Sequence, residues 1–272
     1  MGDEQSIKLH HWIYGSTHNI GYGTKATSRG LNTSLYESKL KGHLTPIRGE
    51  AVQGDGSLDM RMIHPVGAGE EILLSVLAKG PKDEEGRPTF ANHSVISPTT
   101  LLKEGRLSFP ILDQAIRNFD AANPSVAGTV ELLDVPLNAP DSPHPLGRGI
   151  RQHLNRAAVE TLASRRMADN YGRTLVLARG SIPAQRNTVL YLLYELLNFK
   201  CGIPFFTASS DAPTTPTLNY FNLIIAGRGV RADTSWVLLD AALEKPAISK
   251  VGSKADVYRM IDKAYLQEAG GL

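Results

Sequence analysis

Four prolines within ten residues, Pro136, Pro140, Pro143 and Pro145, interrupt the middle of the chain, with small and polar residues between them. Proline fixes its own φ and has no amide hydrogen, so such a run sustains neither a helix nor a central strand. The interruption predicts a boundary, with one domain over 1–140 and a second over 146–272. Each part is near the common domain size of about 100 to 150 residues.

The two parts are patterned differently. In the first, Ile7 to Tyr14 reads as a strand, and Ile72, Leu73, Leu74, Val76 and Leu77 make a nearly continuous apolar series suited to a strand buried on both faces. Residues 15–70 between them are rich in glycine, serine and threonine, which predicts hairpins and long loops. The charged segment Gly80 to Pro88 predicts a turn into a strand over Thr89 to Ile96, and Ser97-Pro98 starts a short helix that Gly105 stops.

In the second part helices and strands alternate. Ile150 to Ala168 carries apolar residues at helical spacing, and Thr174 to Ala178 follows as a strand. Ser181 and Pro183 introduce a helix with Val189, Leu190, Leu193, Leu196 and Leu197 as its core stripe, ending near Asn198 and Gly202. Strands are predicted at Phe205 to Ser209, Asn219 to Ala226 and Trp236 to Leu239, and a last helix over Ser253 to Glu268. The fold class is therefore α/β (α+β): a mixed β-sheet amino-terminal domain followed by a smaller α/β domain.

Charge and cysteine content narrow the function classes. With 29 basic and 27 acidic residues the formal charge is +2, which disfavours a nucleic-acid binder. The one cysteine, Cys201, rules out an internal disulfide framework and fits a reducing compartment. Met1 to Ser6 lacks the basic and then apolar order of a signal peptide, and Val189 to Leu197, broken by Glu195, is too short to span a membrane. The expected location is the cytoplasm.

Trp12 to Leu31 mixes glycine, hydroxyl, aromatic and basic residues, the composition of a recognition loop. Within it Tyr14, Tyr22, Lys25 and Arg29 offer stacking and charge. Gly21-Tyr-Gly-Thr-Lys25 has P-loop residue types at the wrong spacing, and Gly227-Arg-Gly lacks the third glycine of a dinucleotide fold. His10, His11 and His18 lack metal-ligand spacing, since neighbours on a strand point to opposite faces and a site would need distant His93. The same alternation separates Ser94 from His93 as nucleophile and base. Cys201, beside an apolar helix, reads as a structural residue, the alternative being a thiol nucleophile, and the arginines at 148, 151, 156, 165 and 166 as a solvated face, the alternative being anion or acidic-partner docking. Phe205-Phe206 and Tyr220-Phe221 read as core pairs, the alternative being an assembly surface. No catalytic residue, metal or cofactor follows from these motifs.

Trp12-Ile-Tyr-Gly, Gly21-Tyr, Ala26-Thr-Ser-Arg-Gly-Leu31 and Arg87-Pro-Thr-Phe-Ala-Asn-His93 resemble the amino-terminal domain of the GTPase-associated protein 1 family. Leu190 to Gly202, followed by Ile203-Pro-Phe-Phe-Thr-Ala-Ser-Ser and Asn219 to Ala226, is similar to that family's middle domain. Arg87-Pro88 stands where the family usually has a glycine pair. The resemblance implies a prokaryotic adaptor or regulator associated with a small GTPase or a nucleotide-dependent conflict system, and no catalytic residue. Tyr14, Tyr22, Lys25, Arg29 and His93 are then the candidate partner-facing residues. The competing expectation is an enzyme or sensor that binds a nucleotide or phosphorylated metabolite through residues 21–29.

Overall fold

The structure is a computed structural model that describes residues 5–17, 21–34, 36–37, 59–80, 82, 85–86, 89–139, 154–168, 174–177, 183–211, 220–226, 237–240, 259–261 and 263. The chain forms two compact units, Met1–Ala139 with Pro213–Tyr220, and Pro140–Ala212 with Phe221–Leu272. Both combine strands and helices, and the fold class is α/β with a mixed sheet in the first unit.

Described strands of the first unit are β1 (Ser6–Leu9), β2 (His11–Thr17), β3 (Gly21–Ser28), β4 (Asp59–Val66), β5 (Glu71–Lys79), β6 (Phe90–Pro98), β7 (Gly128–Val130) and β8 (Leu133–Pro136). Six of them lie in the order β4-β5-β6-β2-β3-β7, antiparallel except for the parallel pair of β3 with β7. β1 pairs antiparallel with β8 in a separate two-stranded sheet. The chain turns from one sheet to the other at His10, whose carbonyl accepts the Ile96 amide at 2.9 Å.

β5 contains the whole apolar series, and Ile72 to Leu77 are buried throughout, as a strand covered on both faces requires. β6 is followed by helix α1 (Thr99–Lys103), and Gly105, at φ 74°, ends that turn in the left-handed region. Helix α2 (Phe109–Ala122) packs on β5, β6 and β8 and buries Phe109, Leu112, Ala115 and Ile116.

The stretch expected as a glycine-rich recognition loop is instead the hairpin partner of β2. Gly21 to Ser28 form β3, and Trp12, Tyr14, Gly15 and Ser16 pair with Thr27, Thr24, Gly23 and Tyr22. The register shifts between Ile13 and Tyr14, leaving Lys25 as the extra residue of a bulge. β4 likewise lies within the expected loop region.

Close backbone approach dictates Gly80. Its amide donates to the Thr89 carbonyl at 2.8 Å, and a Cβ there would stand 2.5 Å from Thr89 Oγ1 and 3.2 Å from the Phe90 carbonyl carbon. Gly80→Ala is expected to cost about 1–3 kcal/mol by overpacking. In urea denaturation Gly23→Ala is the control, because a Cβ at Gly23 meets nothing within 4 Å.

Described elements of the second unit are α3 (Arg156–Ala168), β9 (Thr174–Leu177), α4 (Pro183–Tyr194), β10 (Ala208–Ser209), β11 (Leu223–Ala226) and β12 (Val237–Asp240). The strands are parallel in the order β12-β9-β11-β10. α4 runs into a wider π-helical turn over Glu195–Lys200, where the Cys201 amide reaches back to the Leu196 carbonyl at 2.9 Å. An apolar cavity of about 10 Å³ lies between α3, Val176 and Leu193, room for no more than about one water. Met260 and Lys263 lie in helical backbone within the predicted last helix, most of which is outside the described residues. His18, Arg87-Pro88, Arg148, Arg151, Ser181 and Gly227-Arg-Gly also lie outside them.

Candidate functional site

Strand register sorts the first unit's side chains onto two faces. Ile13 pairs with His93, His93 with Val76 and Val76 with Arg61, so these four share the face on which α2 packs. Trp12, Ser94, Ser75 and Met62 form the neighbouring row on the opposite face, with Tyr14 and Asn92. Both faces are buried along β5 and β6.

Helix and sheet geometry bring two ionic contacts into step. Arg61 and His93 stand two strands apart, about 9.6 Å at ordinary strand spacing. Asp113 and Asp120 are seven residues apart on α2, nearly two turns and about 10.5 Å along its axis. A helix crossing the strands therefore sets both carboxylates over the same row. Arg61 Nε donates to Asp113 Oδ2 at 3.0 Å, and Arg61 Nη1 to Asp59 Oδ1 at 2.6 Å, with the arginine side chain fully buried. Arg117 braces the pair from solvent, its Nε 3.1 Å from Asp113 Oδ1.

At the other contact a continuous chain of hydrogen bonds runs through two imidazoles. Asp120 Oδ1 is 2.7 Å from His93 Nδ1, His93 Nε2 is 2.8 Å from His11 Nδ1, and His11 Nε2 is 2.7 Å from the Glu131 carbonyl. The Phe119 ring meets both imidazoles edge-on, with centroids 4.7 Å from His11 and 5.4 Å from His93. The imidazoles are buried, whereas Asp120 is 46% exposed. Burial is the main cause that lowers the His11 pKa to about 4, with His93 and His10 adding to it and the Glu131 carbonyl and Asp120 opposing. All four ring nitrogens are engaged. The hydrogen-bonded chain joins β2, β6, α2 and the segment after β7.

The five residues singled out by sequence do not converge. Tyr14 is buried and donates its hydroxyl to the Tyr22 carbonyl at 3.3 Å. Tyr22 is half-buried, stacks on Phe90 at a centroid distance of 4.3 Å, and accepts the Phe90 amide. Lys25 is half-buried at the bulge, and Arg29 stands in solvent beside Glu131 at 3.5 Å, the two side chains 79% and 86% exposed. His93 lies on the opposite face from the tyrosines. Lys25 and Arg29, four residues apart on extended chain, are separated by about 13 Å.

Other motifs are absorbed by packing. Ser94 Oγ contacts Ser75 Oγ at 2.7 Å and accepts from Asn92 Nδ2, on the face away from His93. His10 Nδ1 and the His11 amide both meet Ser28 Oγ. Among the described residues no three His, Cys, Asp or Glu are placed to hold a metal ion. Burial pushes the Cys201 thiol up to about 12, which leaves it inert as a nucleophile. Arg166, expected on a solvated face, is buried with its guanidinium 4.6 Å over the Phe206 ring, while Arg156 pairs with Glu160 at 3.0 Å. Phe206 and Phe221 are buried and Tyr220 is exposed.

Asp113, Asp120, Arg61 and Glu131 were not candidates from sequence. The available signal was Ser108 and Pro110 at the start of a series of apolar residues at 109, 112, 116 and 119, a helix start and a helical stripe flanked by two acids seven apart. Among the described residues no helix is long and apolar enough to cross a membrane. No protein-family model matches the chain, and no curated protein matches it.

Proposed function

We propose that the chain is a non-enzymatic adaptor or regulatory module that docks a protein partner, a small GTPase or another component of a nucleotide-dependent conflict system. The observation that supports it most is the division of labour among charged groups. Arg61, His11, His93, Asp113 and Asp120 join α2 to the sheet, while Arg29 and Glu131 stand in solvent where β3 ends beside β7. The Arg29 amide donates to the Val130 carbonyl at 3.0 Å, so this exposed pair is carried on a hydrogen-bonded edge. The GTPase association rests on the resemblance of the Tyr14, Tyr22, Arg29 and His93 segments.

Pull-down and calorimetry against candidate GTPases in both nucleotide states test this reading. Lys25→Ala combined with Arg29→Ala is expected to weaken capture at least tenfold while leaving thermal unfolding unchanged, since rim charges act on association more than on the fold. Unchanged capture by the double variant removes the β3 edge as the interface. Heat evolved with a free nucleotide or phosphorylated metabolite, lost in the same variant, favours the ligand-binding reading instead.

A further inference from the structure

The three hydrogen bonds that link Asp120, His93, His11 and the Glu131 carbonyl contain a countable number of protons. A carbonyl only accepts, so His11 Nε2 carries a hydrogen. With His11 neutral its Nδ1 is bare, and the central bond takes its hydrogen from His93 Nε2. The last bond, between His93 Nδ1 and Asp120 Oδ1, then needs a third hydrogen. Two neutral imidazoles and a carboxylate hold only two. The complete chain therefore holds one proton more than its members do when neutral and ionised in the usual way, and its loss breaks one bond.

Position decides which bond opens. Both imidazoles are buried between strands and the Phe119 ring, and burial keeps His11 neutral above a pKa of about 4. Asp120 is half-exposed in the last turn of α2, where water can take over its hydrogen bonds. Among the described residues, the charged and titratable groups that act on His11 besides His93 are His10, from the corner between β1 and β2, and Asp120 from α2. The Glu131 carboxylate is turned to Arg29 in solvent.

We propose that the Asp120–His93–His11–Glu131 chain is a pH-sensitive latch that fastens the end of α2 and the segment up to Glu131 to the sheet, and that opens at Asp120 as pH rises. The sign follows from the count: the fastened state binds the extra proton, so fastening is favoured at low pH and lost as pH rises. The latch acts on residues 120–131, which run up to the exposed pair with Arg29, and its proton count does not depend on the adaptor reading.

Amide hydrogen exchange of the full chain tests the latch. Asn123 donates to the Phe119 carbonyl and Val126 to the Asn123 carbonyl, so both amides report on the end of α2. Each is measured as protection over its intrinsic rate and referenced to Leu112, which donates to the Ser108 carbonyl at the helix start. Between pH about 5.5 and about 8.5 protection is expected to fall about tenfold, the loss of one charge-assisted hydrogen bond. In Asp120→Asn the amide donates to the bare Nδ1 of neutral His93 or accepts from the protonated ring, so protection stays high at both pH values. In Asp120→Ala it is low at both. Protection of the unaltered protein that is independent of pH, or an Asp120→Asn variant that follows the same pH dependence, overturns the latch.

Discussion

Arg61→Ala lowers the stability of the first unit by about 3–5 kcal/mol, the usual cost of removing one partner from a buried ion pair. It appears as a lower urea midpoint at unchanged slope. The effect is large because the guanidinium is fully buried with two carboxylates bonded to it, from Asp59 on its own strand and Asp113 on α2. Truncation removes the buried guanidinium from Asp113, nearly buried itself and still braced by Arg117, and opens the volume of the arginine stem. Arg61→Met keeps most of the stem packing and should be less harmful. Arg61→Met with Asp113→Leu should recover stability over Arg61→Met alone, because the nearly buried carboxylate that has lost its buried guanidinium is removed with it. A loss below about 1 kcal/mol for Arg61→Ala contradicts the argument and places the pair among weak surface contacts.

The parts of this unit that sequence made legible are those where local pattern and tertiary position agree. β5 shows as a strand because Ile72 to Leu77 face apolar surroundings on both sides, and the turn at Gly105 because that residue has a positive φ. β3 does not show, since Gly21, Gly23 and Lys25 have little strand preference, and the segment is extended by pairing with β2 along its length and with β7 at Ala26 to Ser28. The ionic row is further from reach. His11 and His93 become diagonal neighbours only through the pairing of Ile13 with His93 and His11 with Val95. Asp113 and Asp120 join the row only once α2 crosses the strands at a spacing that matches two strand widths. In Trp12 to Leu31 the Trp12 and Tyr14 side chains serve the interior, and of Tyr14, Tyr22, Lys25 and Arg29 only Arg29 is mainly in solvent.

Trp12→Ala is expected to cost about 3–5 kcal/mol, the range for deleting a buried large aromatic. The indole is 1% exposed, lies on the face opposite α2, and meets the Tyr14 ring edge-on at a centroid distance of 5.8 Å. Its Nε1 donates to Thr24 Oγ1 at 3.0 Å, and Thr24 in turn donates to Glu37, so the indole also ties β2 to the bulged part of β3. Trp12→Phe keeps a ring in the same place and loses the N–H donor, which is worth about 1 kcal/mol, together with part of the contact area. Urea denaturation and the near-ultraviolet signal of Tyr14 and Tyr22 separate the two variants. The same experiment assigns a cause to any loss of partner capture in this hairpin. Trp12→Ala should lose capture together with stability, because the β3 edge is held by the packing beneath it. Lys25→Ala with Arg29→Ala should lose capture with stability intact. If Trp12→Ala unfolds at the same urea concentration as the unaltered protein, the indole does not hold the hairpin and the glycine-rich segment is extended for another reason.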